Sequence, residues 1–187
     1  MKLLPLDTPA VVGIAADWLA RRENAQWLDF GNGRQGVTPA LLKIMAQRET
    51  HFIRVYARDG VPLGIVGLNG VDRVAGTATL WAVAGDKSFT NRGYVSLATS
   101  KFLTFAFRDL GLRAINTWIV DGNPSLRSLQ RLSFRFVGRQ RRCHLVDGVP
   151  HDRLLFDLLA EEHWEIDEQR WQRIDRSRRE AAQAQPA

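Results

Sequence analysis

The turn at residues 90–94, Thr-Asn-Arg-Gly-Tyr, combines residue types that can bind a phosphate group. It follows a strand-like run and leads directly into about four turns of helix without proline or internal glycine. The N–H groups at a helix start are free and the helix dipole is positive there, so both attract an anion. Gly93 lets the backbone approach the ligand, and Arg92 can contact two phosphate oxygens at once. We therefore predict a phosphate site, with a simple turn glycine as the alternative.

A second polar turn, Asp-Gly-Asn-Pro-Ser at residues 121–125, follows a buried strand at residues 113–120. It leads into a short helix for which Ser125 is the expected N-cap. The helix after the first turn lies between this strand and an earlier strand at residues 77–84, which predicts a strand-helix-strand unit with a right-handed crossover. Both turns should then lie at the carboxyl edge of the sheet, where open sheets bind ligands.

The other predicted elements surround this unit. Thr8-Pro9 and Thr38-Pro39 each pair a capping side chain with a proline, which predicts the start of two helices. Period-two patterns predict strands, with Asp59-Gly60 and Asp147-Gly148 as hairpin turns. The six predicted strands occupy residues 51–58, 63–68, 77–84, 113–120, 134–145 and 151–158.

The composition is that of a single globular domain. The chain has 187 residues, of which 45% are hydrophobic, enough for one substantial core. Cys143 is the sole cysteine, which excludes an internal disulfide, and no two histidines have the spacing of zinc ligands. No apolar run approaches the roughly 18 residues of a membrane span. We therefore predict a cytoplasmic protein without a metal site or a membrane partner.

The net charge of +6 raises the question of nucleic acid. The densest basic run, residues 139–142, is short and has no interleaved aromatic residues, so we do not expect a nucleic-acid partner. Nucleic-acid binding is therefore the third and least favoured of three possible functions. A basic balance serves equally well to attract a small polyanionic cofactor.

Two motifs and the order of elements resemble those of a known family. Residues 90–95 are similar to the pattern Gln/Arg-x-x-Gly-x-Gly/Ala, although Thr90 and Val95 depart from it. Residues 123–138 resemble Asn-x-x-Ser…Glu-Lys-Leu-Gly-Phe-Arg-x-x-Gly, one residue short in the loop. Both belong to the GCN5-related N-acetyltransferase (GNAT) superfamily, and the chain is most similar to its ribosomal-protein N-terminal acetyltransferase-like branch.

The resemblance implies a fold and a cofactor. The fold is a single α/β (α+β) GNAT-like domain over residues 1–160, with a central mixed, mostly antiparallel sheet of about six to seven strands and about four flanking helices. The cofactor is acetyl-CoA, with CoA as the product. The residues that would contact it are Trp81, Val83, Thr90, Asn91, Arg92, Gly93, Tyr94, Val95, Asn123 and Ser125.

The catalytic groups are less clear from the sequence. Family members often use a Glu on the third strand as general base, but this strand carries Thr79 and Trp81 and no carboxylate. Asp86 is better explained as a turn-forming residue. Where many relatives have a Tyr that protonates the thiolate, this chain has Leu129. Two candidate catalytic residues remain. Ser125 is a candidate proton donor for the thiolate, with a simple helix cap as the alternative, and His151 is a candidate catalytic residue near the amine.

The acceptor is predicted to be a primary amine on a small molecule (an amino sugar, a sugar nucleotide or a similar compound) or on a protein N-terminus. The candidate acceptor wall consists of Trp27, Phe30, Arg34 and Trp81. Simple packing beneath the loop is the alternative for Trp27 and Phe30. Because the usual catalytic groups are missing, a non-catalytic acyl-CoA-binding or regulatory module on the same fold is the rival function.

Residues 161–187 form the predicted C-terminal part, a charged helix with a disordered end. Trp164, Trp171 and Ile174 lie within it. These apolar side chains should pack on the domain itself, or alternatively on another subunit of a homodimer.

Overall fold

A seven-stranded mixed sheet forms the centre of the structure, a computed structural model that describes residues 1–29, 37–89 and 93–173. Its strands are β1 (Lys2–Pro5), β2 (Phe52–Arg58), β3 (Val61–Asp72), β4 (Thr77–Ala84), β5 (Ala114–Val120), β6 (Arg135–Val146) and β7 (Val149–Leu159). They lie in the order β1-β2-β3-β4-β5-β7-β6. β4 and β5 pair in parallel, and the other neighbours pair antiparallel. The predicted mixed, mostly antiparallel sheet is confirmed.

Helices flank both faces of this sheet. They are α1 (Pro9–Ala20), α2 (Arg22–Ala25), α3 (Pro39–Ala46), α4 (Tyr94–Arg108) and α5 (Leu126–Arg131), with 3-10 turns at Lys87–Phe89 and Ala160–Glu162. Among the described residues, no helix has the length and apolar character that crossing a membrane requires.

Two predicted helix starts and both predicted hairpin turns are confirmed. Thr8 Oγ1 accepts a hydrogen bond from the backbone N–H of Val11, and Thr38 Oγ1 does the same for Leu41. Both hairpin turns have two successive residues in the left-handed region, with φ of 51° and 81° at Asp59-Gly60 and 54° and 77° at Asp147-Gly148. This is the turn type that matches the twist of paired strands.

β1 is the strand that the sequence did not predict. It has four residues, ends at Pro5, and shows no clear alternation of apolar and polar side chains. Its place in the sheet depends on pairing with β2, where Lys2 lies opposite Ala57. β3 also extends beyond the predicted residues 63–68, because pairing with β2 and β4 continues the strand at both ends.

Two apolar clusters fill the two faces of the sheet. α1 and α3 cover one face, where Trp18 and Leu42 pack with Val55, Ile65 and Val83. α4 covers the other face. Side chains of that second cluster come from all the central strands and include Val66, Leu80, Phe102, Leu103, Ile115, Phe156 and Leu158. Since side chains alternate along a strand, Trp81 and Val83 face α1 and α3, while Leu80 faces α4.

The C-terminal part packs within the chain as far as the structure describes it. Residues 168–173 are helical, but residues 163–167 have no regular secondary structure. Ile166 packs on the cluster beneath α4, whereas Trp164 is 82% exposed. Ile174 and the residues after it lie outside the described residues, and the domain boundary at residue 160 stays a prediction.

Candidate functional site

A wedge opens in the sheet between β4 and β5. Their parallel pairing covers Thr77 to Thr79 on β4 and Ala114 to Asn116 on β5. Beyond these residues β4 continues along β3 as far as Ala84, while β5 continues along β7 as far as Val120. Thr117 Oγ1 donates a hydrogen bond to the backbone carbonyl of Leu80 (3.0 Å) and closes the narrow end of the wedge. The open end therefore lies at the carboxyl ends of both strands, the edge at which the sequence predicts the two polar turns.

The start of α4 lies after β4, at this same edge. Gly93 is the N-cap residue, with φ of 71°, and no side chain caps the helix in the described part of the chain. The first N–H groups of a helix have no partner within the helix, so those of the first turn can bind an external acceptor. Thr90, Asn91 and Arg92 complete the predicted phosphate turn but lie outside the described residues.

Tyr94 can contribute to such a site through its backbone only. Its side chain is buried and packs in a cluster with Tyr56 and Leu63. The guanidinium carbon of Arg58 lies 5.1 Å from the centre of the Tyr94 ring, and the Nη1 of Arg58 is buried without a hydrogen-bond partner. Arg58 thus places a positive charge near the start of α4, a contribution that its position in an ordinary strand pattern did not reveal.

Val83 is held in place on the β4 side of the wedge. Its side chain is 5% exposed, and its carbonyl oxygen accepts a hydrogen bond from the Tyr56 hydroxyl (3.1 Å). Burial raises the pKa of Tyr56, so this phenol stays protonated as a donor. A carbonyl oxygen has two lone pairs, so Val83 can still accept a second hydrogen bond from a ligand.

The second polar turn brings Asn123 and Ser125 together. Asn123 Oδ1 accepts hydrogen bonds from the backbone N–H of Ser125 (2.8 Å) and from the Ser125 hydroxyl (2.5 Å). Ser125 occupies the N-cap position of α5, but its side chain makes no capping hydrogen bond. The expected capping role of this hydroxyl is therefore wrong, because the Asn123 side chain engages it instead. Leu129 is buried in the core and cannot transfer a proton.

A polar cluster lies over β5 and β7, on the sheet face that also carries Trp81. The guanidinium carbon of Arg153 lies 3.9 Å from the centre of the Trp118 ring. Arg153 Nη2 also donates to Asp29 Oδ2 (2.7 Å) and contacts His144 Nδ1 (3.1 Å). His144 Nε2 lies 2.7 Å from the carbonyl oxygen of Gln26.

The hydrogen-bond partners of His144 indicate which of its ring nitrogens carries the hydrogen. A carbonyl oxygen accepts only, so Nε2 of His144 carries the hydrogen, and Nδ1 accepts from Arg153. The cluster ties the segment after α2 to the β6–β7 hairpin. Sequence reasoning missed it, since Asp29 and Arg153 are 124 positions apart and neither stands in a recognisable motif.

Two residues of the predicted acceptor wall, Trp27 and Trp81, are described and lie near this face. Trp27 is half-buried and follows α2, while Trp81 packs its ring on Gly67 and donates from Nε1 to Asn69 Oδ1 (2.9 Å). His151 is half-buried and lies opposite His144 in the β6–β7 register. By strand alternation His151 shares the face of Arg153. Phe30 and Arg34 lie outside the described residues.

Asp86 behaves as a turn residue. Its Oδ1 accepts from the hydroxyl (2.7 Å) and the backbone N–H (2.9 Å) of Ser88. These hydrogen bonds lower the pKa of Asp86, which makes it a poorer proton acceptor.

An open groove of about 610 Å³ lies nearby against Arg21, Arg22, Glu23 and Gln26.

Comparison with known proteins gives this geometry a context. A family model described as an acetyltransferase (GNAT) domain matches residues 3–135. The putative ribosomal N-acetyltransferase YdaF of Bacillus subtilis is 31% identical over 110 residues, which cover 57% of this chain and 58% of YdaF. The chain therefore matches less than two thirds of that relative's length.

Solved structures show the same fold. Spermidine N-acetyltransferase from Vibrio cholerae, in complex with CoA and spermine, aligns with a TM-score of 0.76 at 13% identity over 86% of this chain and 96% of that chain. RimJ from Mycobacterium smegmatis, in complex with CoA-disulfide, aligns with a TM-score of 0.72 at 22% identity over 86% of this chain and 82% of that chain. At these identities the likeness establishes the architecture alone.

Proposed function

Because the chain belongs to the acetyltransferase (GNAT) family, we propose that it transfers the acetyl group of acetyl-CoA directly to a primary amine. The observation that carries this proposal is the wedge between β4 and β5 with the start of α4 beside its open end. A long, thin thioester arm fits a gap between two strands, and its phosphates fit a helix N-terminus. Few other ligands need both features together.

The residues around the wedge suit the parts of acetyl-CoA. The backbone N–H groups of residues 93–95 would bind the pyrophosphate, together with the predicted contacts at residues 90–92. The free edge of β4 near Val83 would bind the pantetheine arm, and Asn123 and Ser125 would lie near the sulfur. When bound, acetyl-CoA supplies an activated acyl carbon and a thiolate leaving group.

Transfer requires a proton at the departing sulfur as the N–C bond forms and the C–S bond breaks. Ser125 is the proposed donor. Its hydroxyl is not committed to capping α5, but its hydrogen lies on Asn123 Oδ1 and must turn from there to the sulfur as the C–S bond breaks. The proton that Ser125 gives up is regained from solvent after CoA leaves.

The amine must also lose a proton before or during attack. On β4 neither Thr79 nor Trp81 can accept it, and Asp86 has a lowered pKa. His151 is the proposed acceptor of this proton, since it lies on the same sheet face as Trp118 and Trp81. A neutral imidazole has one ring nitrogen that can accept a proton, as a general base must.

The charges on this face favour an acceptor that is not polycationic. The groove beside α2 is bordered by one carboxylate, Glu23, and by two cations, Arg21 and Arg22. Arg22 pairs with Asp147, and Arg153 already neutralises Asp29. A polyamine would need several free carboxylates to replace its hydration. The described residues thus favour a single amine on a neutral or acidic molecule, such as an amino sugar phosphate or a peptide N-terminus.

Release of free thiol from acetyl-CoA tests the proposal. We would incubate the protein with acetyl-CoA and a panel containing peptides with free N-termini, amino sugars, amino sugar phosphates and spermidine. We expect turnover with at least one monoamine and less with spermidine. At an acetyl-CoA concentration of about 100 times a plausible Kd, we expect binding to stabilise the protein by about 2.7 kcal/mol. No thermal stabilisation under these conditions would contradict the whole proposal.

The rival function is a non-catalytic acyl-CoA-binding or regulatory module. It is favoured by Leu129 in place of a phenol and by the missing carboxylate on β4. Stabilisation by acetyl-CoA without thiol release across the panel would support this rival.

A further inference from the structure

Ser100 and Thr104 belong to a polar stripe along α4, and residues 163–173, which we call the C-terminal strap, cover it. The backbone N–H of Ile166 donates to Ser100 Oγ (2.8 Å), and His163 Nε2 lies 2.8 Å from Thr104 Oγ1. Lys101 forms an ion pair with Glu168 (2.6 Å). The strap therefore runs antiparallel to α4, from near its C-terminal end towards its start.

The strap ends at the start of α4. The ring of Trp171 packs directly on the α-carbon of Gly93, where any Cβ would collide with ring atoms Cζ2 and Cη2. Gly93 is the N-cap residue of α4 and belongs to the predicted phosphate turn. A residue near the C-terminal end of the described chain thus borders the proposed pyrophosphate site.

Two polar groups in this region are buried and unsatisfied. The indole N–H of Trp171 and the hydroxyl of Ser96, in the first turn of α4, have no hydrogen-bond partner in the described structure. An indole nitrogen can only donate. A buried donor without an acceptor costs free energy, so such a group calls for a partner that arrives from outside. The neighbouring N–H groups of the helix start are donors as well, so the region has donors in excess and requires acceptors.

We propose that Trp171 is a cofactor-binding residue, and that its indole N–H donates to a phosphate oxygen of CoA bound at the start of α4. The ring also packs on Gly93, so the strap forms one wall of the site at the start of α4. This inference rests on the proposed function, since the phosphate is that of acetyl-CoA. It adds a wall to the site that comes from outside the strand-helix-strand unit.

Calorimetric titration of the full chain with CoA tests the inference, using the variants Trp171→Phe and Trp171→Ala. Phe keeps most of the ring packing and removes the donor, so we expect the Kd for CoA to rise about tenfold, as for loss of one hydrogen bond to a charged group. Pantetheine, which lacks the phosphates, should bind wild type and Trp171→Phe equally. Trp164→Phe is the matched control, because Trp164 is 82% exposed on the same strap, and its Kd should not change.

The outcomes separate this inference from the proposed function. If wild-type protein binds no CoA, the proposed function itself fails. If wild type binds CoA and Trp171→Phe binds it equally well, the hydrogen bond from Trp171 does not exist. If Trp171→Ala binds CoA more tightly than wild type, Trp171 blocks the site rather than completing it, and the inference is also overturned. Melting temperatures of the unliganded variants verify that each one is folded.

Discussion

The side-chain oxygen of Asn123 accepts both the backbone N–H and the hydroxyl of Ser125, at 2.8 and 2.5 Å. One amide therefore fixes the turn and holds the hydroxyl hydrogen of Ser125, which must turn to the sulfur during transfer. The Ser125 side chain makes no capping bond to α5, so replacing it removes chemistry without removing a cap.

Ser125→Ala should lower kcat about 10- to 100-fold while the KM for acetyl-CoA changes little, because the proton is needed only as the sulfur departs. Steady-state kinetics with the best amine of the panel measures both constants. Ser128→Ala, in the same short helix, is the control and should behave as wild type. An unchanged kcat for Ser125→Ala would exclude it as the proton donor.

Gly93→Ala and Gly111→Ala form a matched pair for the start of α4. Both glycines have φ near +70°, at 71° and 69°, so a side chain at either one is strained by about 1 to 2 kcal/mol. At Gly111 nothing lies within 4 Å of an added Cβ, whereas at Gly93 the ring of Trp171 must move. We expect Gly93→Ala to be the less stable variant in urea unfolding and the one that loses CoA affinity. If both variants lose the same unfolding free energy, the Trp171 ring moves away from the added Cβ without a measurable loss of stability.

The parts of the structure that were predictable are those with local causes. Thr8 and Thr38 cap helices because the capped N–H lies three residues away, and Asp59-Gly60 turns because its own backbone permits it. The strap was not predictable from a local pattern. Ser100 lies on the polar stripe of α4, yet it is fully buried, and its Oγ accepts from the backbone N–H of Ile166, 66 positions away.

The same limit applies to the candidate site. The two polar turns stand out since glycine, asparagine and serine cluster between regular elements. The cluster of Trp118 and Arg153 does not stand out, because each residue fits an ordinary strand and acquires its role only when β5 and β7 pair. The two polar turns could therefore be located from the sequence, whereas the cluster of Trp118 and Arg153 could not.

Arg153→Met should raise the KM for the amine about tenfold and leave the KM for acetyl-CoA unchanged. The substitution keeps an unbranched side chain over Trp118 but removes the ion pair with Asp29 and the contact with His144. The segment after α2 would then lose its tie to the β6–β7 hairpin. Arg139→Met is the control, since Arg139 pairs with Asp121 and Asp152 at a more exposed position. An equal rise in both KM values would indicate general disruption instead of a role on the acceptor face.

Glu168 makes the stability of the strap dependent on pH. Burial opposes its ionisation, but hydrogen bonds from Lys101 and the amino group of Met1 outweigh burial and lower the pKa from 4.5 to about 2. The folded chain thus holds this proton more weakly than the unfolded chain does. The stabilisation is complete above about pH 4.5 and is lost as the pH falls towards 2.

Urea unfolding of wild type and Glu168→Gln across pH 2 to 7 measures this effect. We expect wild type to be the more stable protein at pH 7 and the difference to disappear as the pH approaches 2. High salt should also reduce it, because the ion pairs are partly exposed. Glu165→Gln, at an exposed position of the same strap, should show no such difference. A difference for Glu168→Gln that stays constant across this range would mean that Glu168 stabilises the strap by packing and not by charge.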